Sequence, residues 1–292
     1  MTLETYLACT HSPNTVRIYL FEIEHLIRYL GTTRAEQAAY KDILDYMAYL
    51  RSRYDNAGTI HRILQAVKQY YFYLIEQGKR SSHPCRYMRI RDKFREVQVQ
   101  DLLTRAELNG LLHREERYPG LALRNQVVMS LLVYQALLPG EIARLTVEDI
   151  DLEAATIRIH PTAKTNGRVL GLKPQQVMLL HRYLTQGRPR LLRRLTSALV
   201  LTQRGTPEKG EGIHYLCETF RHQVSTKRLS PVTIRQSVIA NLLKEGRDLR
   251  VVQVFAGHKK PSATEKYRQN NLEALKQAVH KHHPLAGESF YL

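Results

Sequence analysis

Residues 230–268 read SPVTIRQSVIANLLKEGRDLRVVQVFAGHKKPSATEKYR, and their punctuation divides them into three helices joined by short turns. Ser230 is a capping residue, Pro231 suits a first helical turn, and the pattern runs on to Gly246, a natural stop. A second helix spans about 248–256 and ends at Gly257; a third spans about 262–282. Arg235 then lies in the first turns of one helix, His258 follows the glycine that closes the next, and Tyr267 sits on the third. A guanidinium, an imidazole and a phenol together suit nucleophilic attack on a phosphodiester. The phenol can form a covalent phosphotyrosyl link, the guanidinium pairs bidentately with non-bridging oxygens, and the imidazole donates to the developing charge. Spacing alone does not establish this, because such a trio also occurs as ordinary surface and core.

Composition points to the same class of partner. The chain has 292 residues, more than the ~100–200 usual for one domain. Lysine and arginine number 44 against 27 acidic residues, a formal net charge of +17. So large an excess repels itself in the compact state, and a polyanion relieves it. Nucleic acid is the first candidate, because each cation near a phosphate releases a condensed counterion. The longest apolar run, Val127 to Leu138, is broken by Ser130 and Gln135 and is too short to span a bilayer, so no membrane role is expected. No secretory signal is visible at the N-terminus, and the three cysteines lie far apart without a C-x-x-C pair. A cytoplasmic protein without a cysteine zinc site or disulfide framework is expected.

Upstream, the first eighty residues read as a small helical unit. Ser12 and Pro13 open a helix that Gly31 ends, a second covers about 40–52, and Thr59 is read as the cap of a third that Gly78 stops. His61, Arg62 and Lys68 form a modest cationic face on the third helix, which a solvated surface would also explain. Residues 81–101 read as a basic linker. With Lys79 and Arg80, the stretch 79–95 holds seven cations, among them Arg89, Arg91 and Lys93, placed to run beside a duplex. Residues 102–292 read as a second, mostly helical unit. Thr104 to Glu107 form a capping box, a long apolar helix covers about 121–137, and Pro139 opens a short one. Strands at 155–160 and 168–172 flank the turn PTAKTNG as a hairpin. A helix at about 174–184, a short strand at 199–202 and a helix at about 211–224 follow.

The order Arg235, then Ala256-Gly257-His258, then Tyr267 resembles the active-site region of the tyrosine recombinase (phage integrase) family. That family's pattern runs His-x-x-Arg, Leu-Gly-His and the nucleophilic tyrosine. The segment EIARLTVEDIDL from Glu141 resembles the stretch after the family's first arginine, and the hairpin with Lys164 and then Arg168 resembles the one presenting the catalytic lysine. The resemblance covers nearly the whole chain. It implies a mainly α, two-domain DNA clamp: an N-terminal helical core-binding (SAM-like) domain and a C-terminal α+β catalytic domain with a small β-hairpin or sheet.

It also implies a site-specific recombinase or integrase that cuts and rejoins strands through a 3′-phosphotyrosyl intermediate. Tyr267 would be the nucleophile, Arg235 and His258 would hold the non-bridging oxygens, and Lys164 would protonate the leaving 5′-oxygen. The expected DNA contacts are His61, Arg62, Lys68, Arg89, Arg91, Lys93 and Arg168. Energy stored in the covalent link removes any need for a cofactor, ATP or a metal. The expected partners are double-stranded DNA, further copies in a synaptic tetramer, and other recombinases or accessory proteins.

Two positions depart from the pattern. Leu138 stands where the family's first arginine would be, and Val232 where the histidine of His-x-x-Arg would be. Leucine cannot neutralise a phosphate oxygen and valine cannot accept a proton. A slow enzyme, an enzyme with a substitute cation and a DNA-binding relic all stay open; Arg124, Arg144 and Lys259 are the nearby cations. Past Tyr267, Leu272, Leu275 and Val279 give the tail an apolar stripe, and His280, His282 and His283 read as a solvated basic helix end rather than a metal site. Tyr291 is read as incidental.

Overall fold

A computed structural model describes residues 1–90, 102–113, 118–224 and 227–268. The chain divides into two compact units, Met1–Arg95 and Glu96–Leu292.

The first unit is entirely helical: α1 (Leu3–Ala8), α2 (Pro13–Leu30), α3 (Thr32–Gln37), α4 (Tyr40–Arg53) and α5 (Ala57–Glu76). Ser12 caps α2 by accepting from the Thr15 amide, and Gly31 closes it at φ 81°, a conformation glycine adopts without strain. The cap of α5 is Asn56, which accepts from the Gly58 amide, so the helix starts one turn earlier than Thr59 predicts. On α5, Ile60, Ile63, Leu64, Val67, Tyr71 and Leu74 share the buried stripe that the 3.6-residue period dictates. The segment after α5 folds back onto this unit. Cys85 enters its core, the Arg80 guanidinium donates to the Glu36 and Ala38 carbonyls, and Lys68 Nζ donates to the Met88 carbonyl at 2.8 Å.

The second unit packs around α7 (Pro119–Tyr134), whose stretch Val127–Val133 is buried on every side. Around it lie α6 (Arg105–Gly110), α8 (Pro139–Ile142), α9 (Pro174–Arg182), α10 (Arg188–Leu191), α11 (Glu211–Thr219), α12 (Pro231–Lys244), α13 (Leu249–Ala256) and α14 (Ser262–Arg268). Three antiparallel strands, β1 (Ile150–Asp151), β2 (Thr156–Ile159) and β3 (Arg168–Gly171), form one small sheet in that order. The expected hairpin is therefore β2–β3, with a third strand added at its edge. The register sets Ile159 opposite Arg168, and Ile157 and Ile159 turn inward to the core.

Residues 199–202 do not form a strand of that sheet. They make an isolated bridge, Leu201 with Pro207, because the Thr202–Thr206 turn closes too tightly to extend a ladder. α11 gives way to a short 3₁₀ turn at Arg221–Gln223, and α9 to a π turn at Tyr183–Gly187. The predicted continuation of the last helix beyond residue 268, with Leu272, Leu275, Val279 and the histidines, lies outside the described residues, as does Tyr291. Among the described residues no helix is long and apolar enough to cross a membrane.

Candidate active site

The N-terminus of α12 sets the first side chain. Ser230 accepts from the Thr233 amide, and one turn on, Arg235 points into the unit and is 6% exposed. Its Nη1 donates to the Ala136 carbonyl at 2.7 Å and its Nη2 to the Ala256 carbonyl. Ala136 is held at φ 52°, an uncommon conformation for a residue with a Cβ, and this aims its carbonyl at the guanidinium.

Glu141, on α8, is the hub. Its carboxylate accepts both Nη atoms of Arg168, at 2.7 and 3.2 Å, the Thr165 hydroxyl at 2.9 Å and the Leu138 amide at 2.9 Å. Arg235 Nη1 lies 3.6 Å away. Burial opposes ionisation of Glu141, yet the hydrogen bonds and charge of Arg168, the Leu138 amide and Arg235 together hold it below the usual carboxylate range.

The β2–β3 turn is tied to the end of α13. Asn166 N–H donates to the Gly257 carbonyl at 2.8 Å, and Thr165 forms an isolated bridge with His258. His258 Nδ1 lies 2.8 Å from the Thr264 hydroxyl on α14. Burial, then the charges of Arg235 and Arg168, push the imidazole down to about 4, so it is neutral at physiological pH. Tyr267, one turn after Thr264, is half-buried and packs against Ile239, Val252 and Ala256. Burial raises its phenol above the usual value, while the Gln236 amide and the charge of Arg235 pull the other way.

Arg235, His258 and Tyr267 thus share one electrostatic neighbourhood. Lys164 is exposed on the anchored turn, next to Thr165. Leu138 is half-buried and gives Glu141 only its backbone amide, and Val232 is 46% exposed in the first turn of α12. The buried charges do not cancel: two guanidinia, Arg168 and Arg235, face one carboxylate, while the neighbouring imidazole and phenol are neutral. An uncompensated buried charge is costly, and an oxyanion at the half-exposed rim would complete the set.

The three sequence-proximal cations behave differently. Arg124 is committed to Glu208 at 2.6 Å, Arg144 is exposed and leans on the Pro161 carbonyl, and Lys259 is exposed beside His258. Arg168, expected among the DNA contacts, is instead buried under the site, its side chain 2% exposed. The cationic face of α5 is also partly spent: Arg62 pairs with the buried Glu22 at 3.0 Å and Lys68 holds the Met88 carbonyl, whereas His61 and Arg89 are exposed. Arg91 and Lys93 lie outside the described residues.

Comparison with known proteins decides what this arrangement belongs to. The phage integrase family model matches residues 101–274, and the model of the family's N-terminal SAM-like domain matches residues 3–78. The chain belongs to the phage integrase family. Among the tyrosine recombinases it matches is XerC of Bacillus subtilis (strain 168), 27% identical over 269 residues, covering 91% of this chain and 88% of that protein. The integrase fold recurs in solved structures. The XerH site-specific recombinase bound to difH substrate aligns with a TM-score of 0.72 at 17% identity, covering 89% of this chain and 78% of that one. A lambda integrase dimer bound to a COC′ core site aligns at 0.70 and 15% identity, covering 91% and 93%. This integrase-family chain is mainly helical with a small three-stranded antiparallel sheet, a SAM-like domain and a catalytic domain.

Sequence reasoning missed Glu141 as the hub, the roles of Gln236 and Thr264, and the inward place of Arg168. Gln236 and Thr264 act only through contacts made by folding. The inward place of Arg168 was legible in principle, because β3 alternates and Arg168 pairs across from the buried Ile159.

Proposed function

We propose that this chain is a site-specific DNA recombinase that cleaves and rejoins strands through a 3′-phosphotyrosyl intermediate, its helical and catalytic units together clamping a duplex. The observation that carries the reading is the unbalanced buried charge of Arg168 and Arg235 over Glu141, beside the half-buried Tyr267 hydroxyl. A scissile phosphate supplies the missing anion and presents phosphorus to the nucleophile.

In the proposed step the Tyr267 oxygen forms a bond to phosphorus as the bond to the 5′-oxygen breaks. Lys164, on its anchored turn, gives that oxygen a proton, since an alkoxide is a poor leaving group. Arg235 and the neutral His258 donate to the non-bridging oxygens. Val232 cannot take the phenol proton, which passes to water at the exposed rim. A 5′-hydroxyl from another strand then attacks the phosphotyrosyl, restoring one phosphodiester and freeing the tyrosine. Bonds broken and made are equivalent, so neither ATP nor a metal is called for. The reaction would run in the cytoplasm on a synaptic tetramer of this chain, with other recombinases or accessory proteins as further partners.

The substitutions at Leu138 and Val232 favour a second reading, a family member that binds DNA without cutting it. One experiment separates the two. Incubated in EDTA with a pool of nicked duplexes of randomised sequence, the protein should form an adduct stable to detergent, and Tyr267→Phe should not. No adduct leaves the binding role alone.

A further inference from the structure

With leucine at position 138, Arg168 is the site's second buried cation, and through Glu141 and Gly257 it reaches Arg235, the turn bearing Lys164 and the backbone before His258. Both its Nη atoms grip Glu141, which also holds the Leu138 amide and the Thr165 hydroxyl and lies beside Arg235. Its guanidinium fills the space over Gly257. A Cβ built there would sit 2.6 Å from Arg168 Nη1 and 2.9 Å from the Asn166 carbonyl, so the backbone before His258 packs directly on this side chain. Thr165 and Asn166, which follow Lys164, are bound to His258 and Gly257.

Stability alone explains Arg168 poorly. Its Nε is the one buried side-chain polar atom without a partner among the described residues. A buried pair that leaves a donor unsatisfied and a second cation unbalanced is a weaker stabiliser than apolar packing would be. At 2% exposure the side chain is also too deep to touch DNA. What it can do is hold other groups.

We propose that Arg168 is a positioning residue for strand cleavage, locking Arg235, His258 and the turn bearing Lys164 into one arrangement through Glu141 and the Gly257 backbone. This rests on the recombinase reading. It differs from a DNA contact, which would set affinity, and from a plain internal salt bridge, which would set only stability. The fork geometry matters, because a lysine ammonium cannot span both Glu141 oxygens from one planar group.

The test compares the wild type with Arg168→Gln and Arg168→Lys on the nicked duplex pool in EDTA, measuring DNA affinity and single-turnover adduct formation at saturating DNA. Arg168→Gln should bind within about twofold of wild type and form adduct at least about a hundredfold more slowly, the cost of one lost electrostatic element. Arg168→Lys should fall between. Titration of His258 by NMR gives an independent reading: removing the Arg168 charge should move the imidazole upward from about 4. If Arg168→Gln does not fold, Arg168→Lys, which keeps the charge but not the planar fork, carries the test and should slow adduct formation at unchanged affinity. Wild-type adduct rates in the folded variants, a loss of affinity that accounts for the loss of rate, or an unmoved His258 titration would overturn the proposal. If the wild type itself forms no adduct, the recombinase reading fails, and an unmoved or shifted His258 still decides whether Arg168 sets this site.

Discussion

At the scale of single residues, the site is defined as much by what is missing as by what is present. Val232 occupies an exposed position one turn before Arg235, where a proton acceptor could stand without disturbing the core. Val232→His should therefore raise the rate of adduct formation by on the order of tenfold or more with little change in melting temperature, since a placed general base contributes at least that much. A rate unchanged by this substitution would mean that proton removal from Tyr267 does not limit cleavage. His258 supplies a pH prediction. Its folded value, about 4, lies below the ~6.5 of an unfolded histidine, so between those values the unfolded chain binds more protons. Stability conferred by keeping His258 neutral is complete above about 6.5 and is lost as pH falls toward 4. The urea midpoint should drop between pH 7 and pH 5, and His258→Asn should flatten that drop.

The sequence exposed Arg235, His258 and Tyr267 because a helix cap, a terminal glycine and a helical spacing are local signals. Glu141 as the hub could not be read that way. Its partners come from the cap of α8, the β2–β3 turn, β3 and α12, and only folding brings them to one carboxylate.

At the scale of elements, helices with an apolar period or a marked start were legible, the short ones opened by Thr104 and Pro139 included, whereas two short helices of the first unit were not. α2, α5 and α12 carry buried stripes and side-chain caps, and α7 announces itself instead by an apolar run buried on every side. α1 and α3 have six residues each and bury one residue apiece, too little for a periodic signal. The start of α5 shows how two candidate caps compete: Asn56 accepts from the Gly58 amide, while Thr59 lies inside the helix. Asn56→Ala should cost about 1 kcal/mol in urea denaturation, and Thr59→Ala should change stability by less than about 0.5 kcal/mol. Equal effects would put the cap elsewhere. The β2–β3 turn was predicted as a polar loop; what its composition did not announce was the backbone anchoring of Thr165 and Asn166 to the end of α13.

At the scale of the whole molecule, the net charge of +17 becomes a statement about binding. If the chain tracks a duplex through several phosphate contacts, log K should fall linearly with log salt concentration, with a slope on the order of −5 or steeper. Filter binding across a salt series measures this, and a flat dependence would remove DNA as the partner of that charge. Several of the basic residues counted at the level of sequence serve the protein itself. Arg62, Lys68, Arg124 and Arg168 are engaged internally, so the slope will be shallower than a census of lysines and arginines suggests. The measurement that bears most directly on the account is the site of covalent attachment. After reaction with the nicked duplex pool, nuclease digestion and mass spectrometry of the peptides should find a 3′-linked nucleotide on Tyr267. A nucleotide on Tyr291 or any other residue, or none at all, would contradict it.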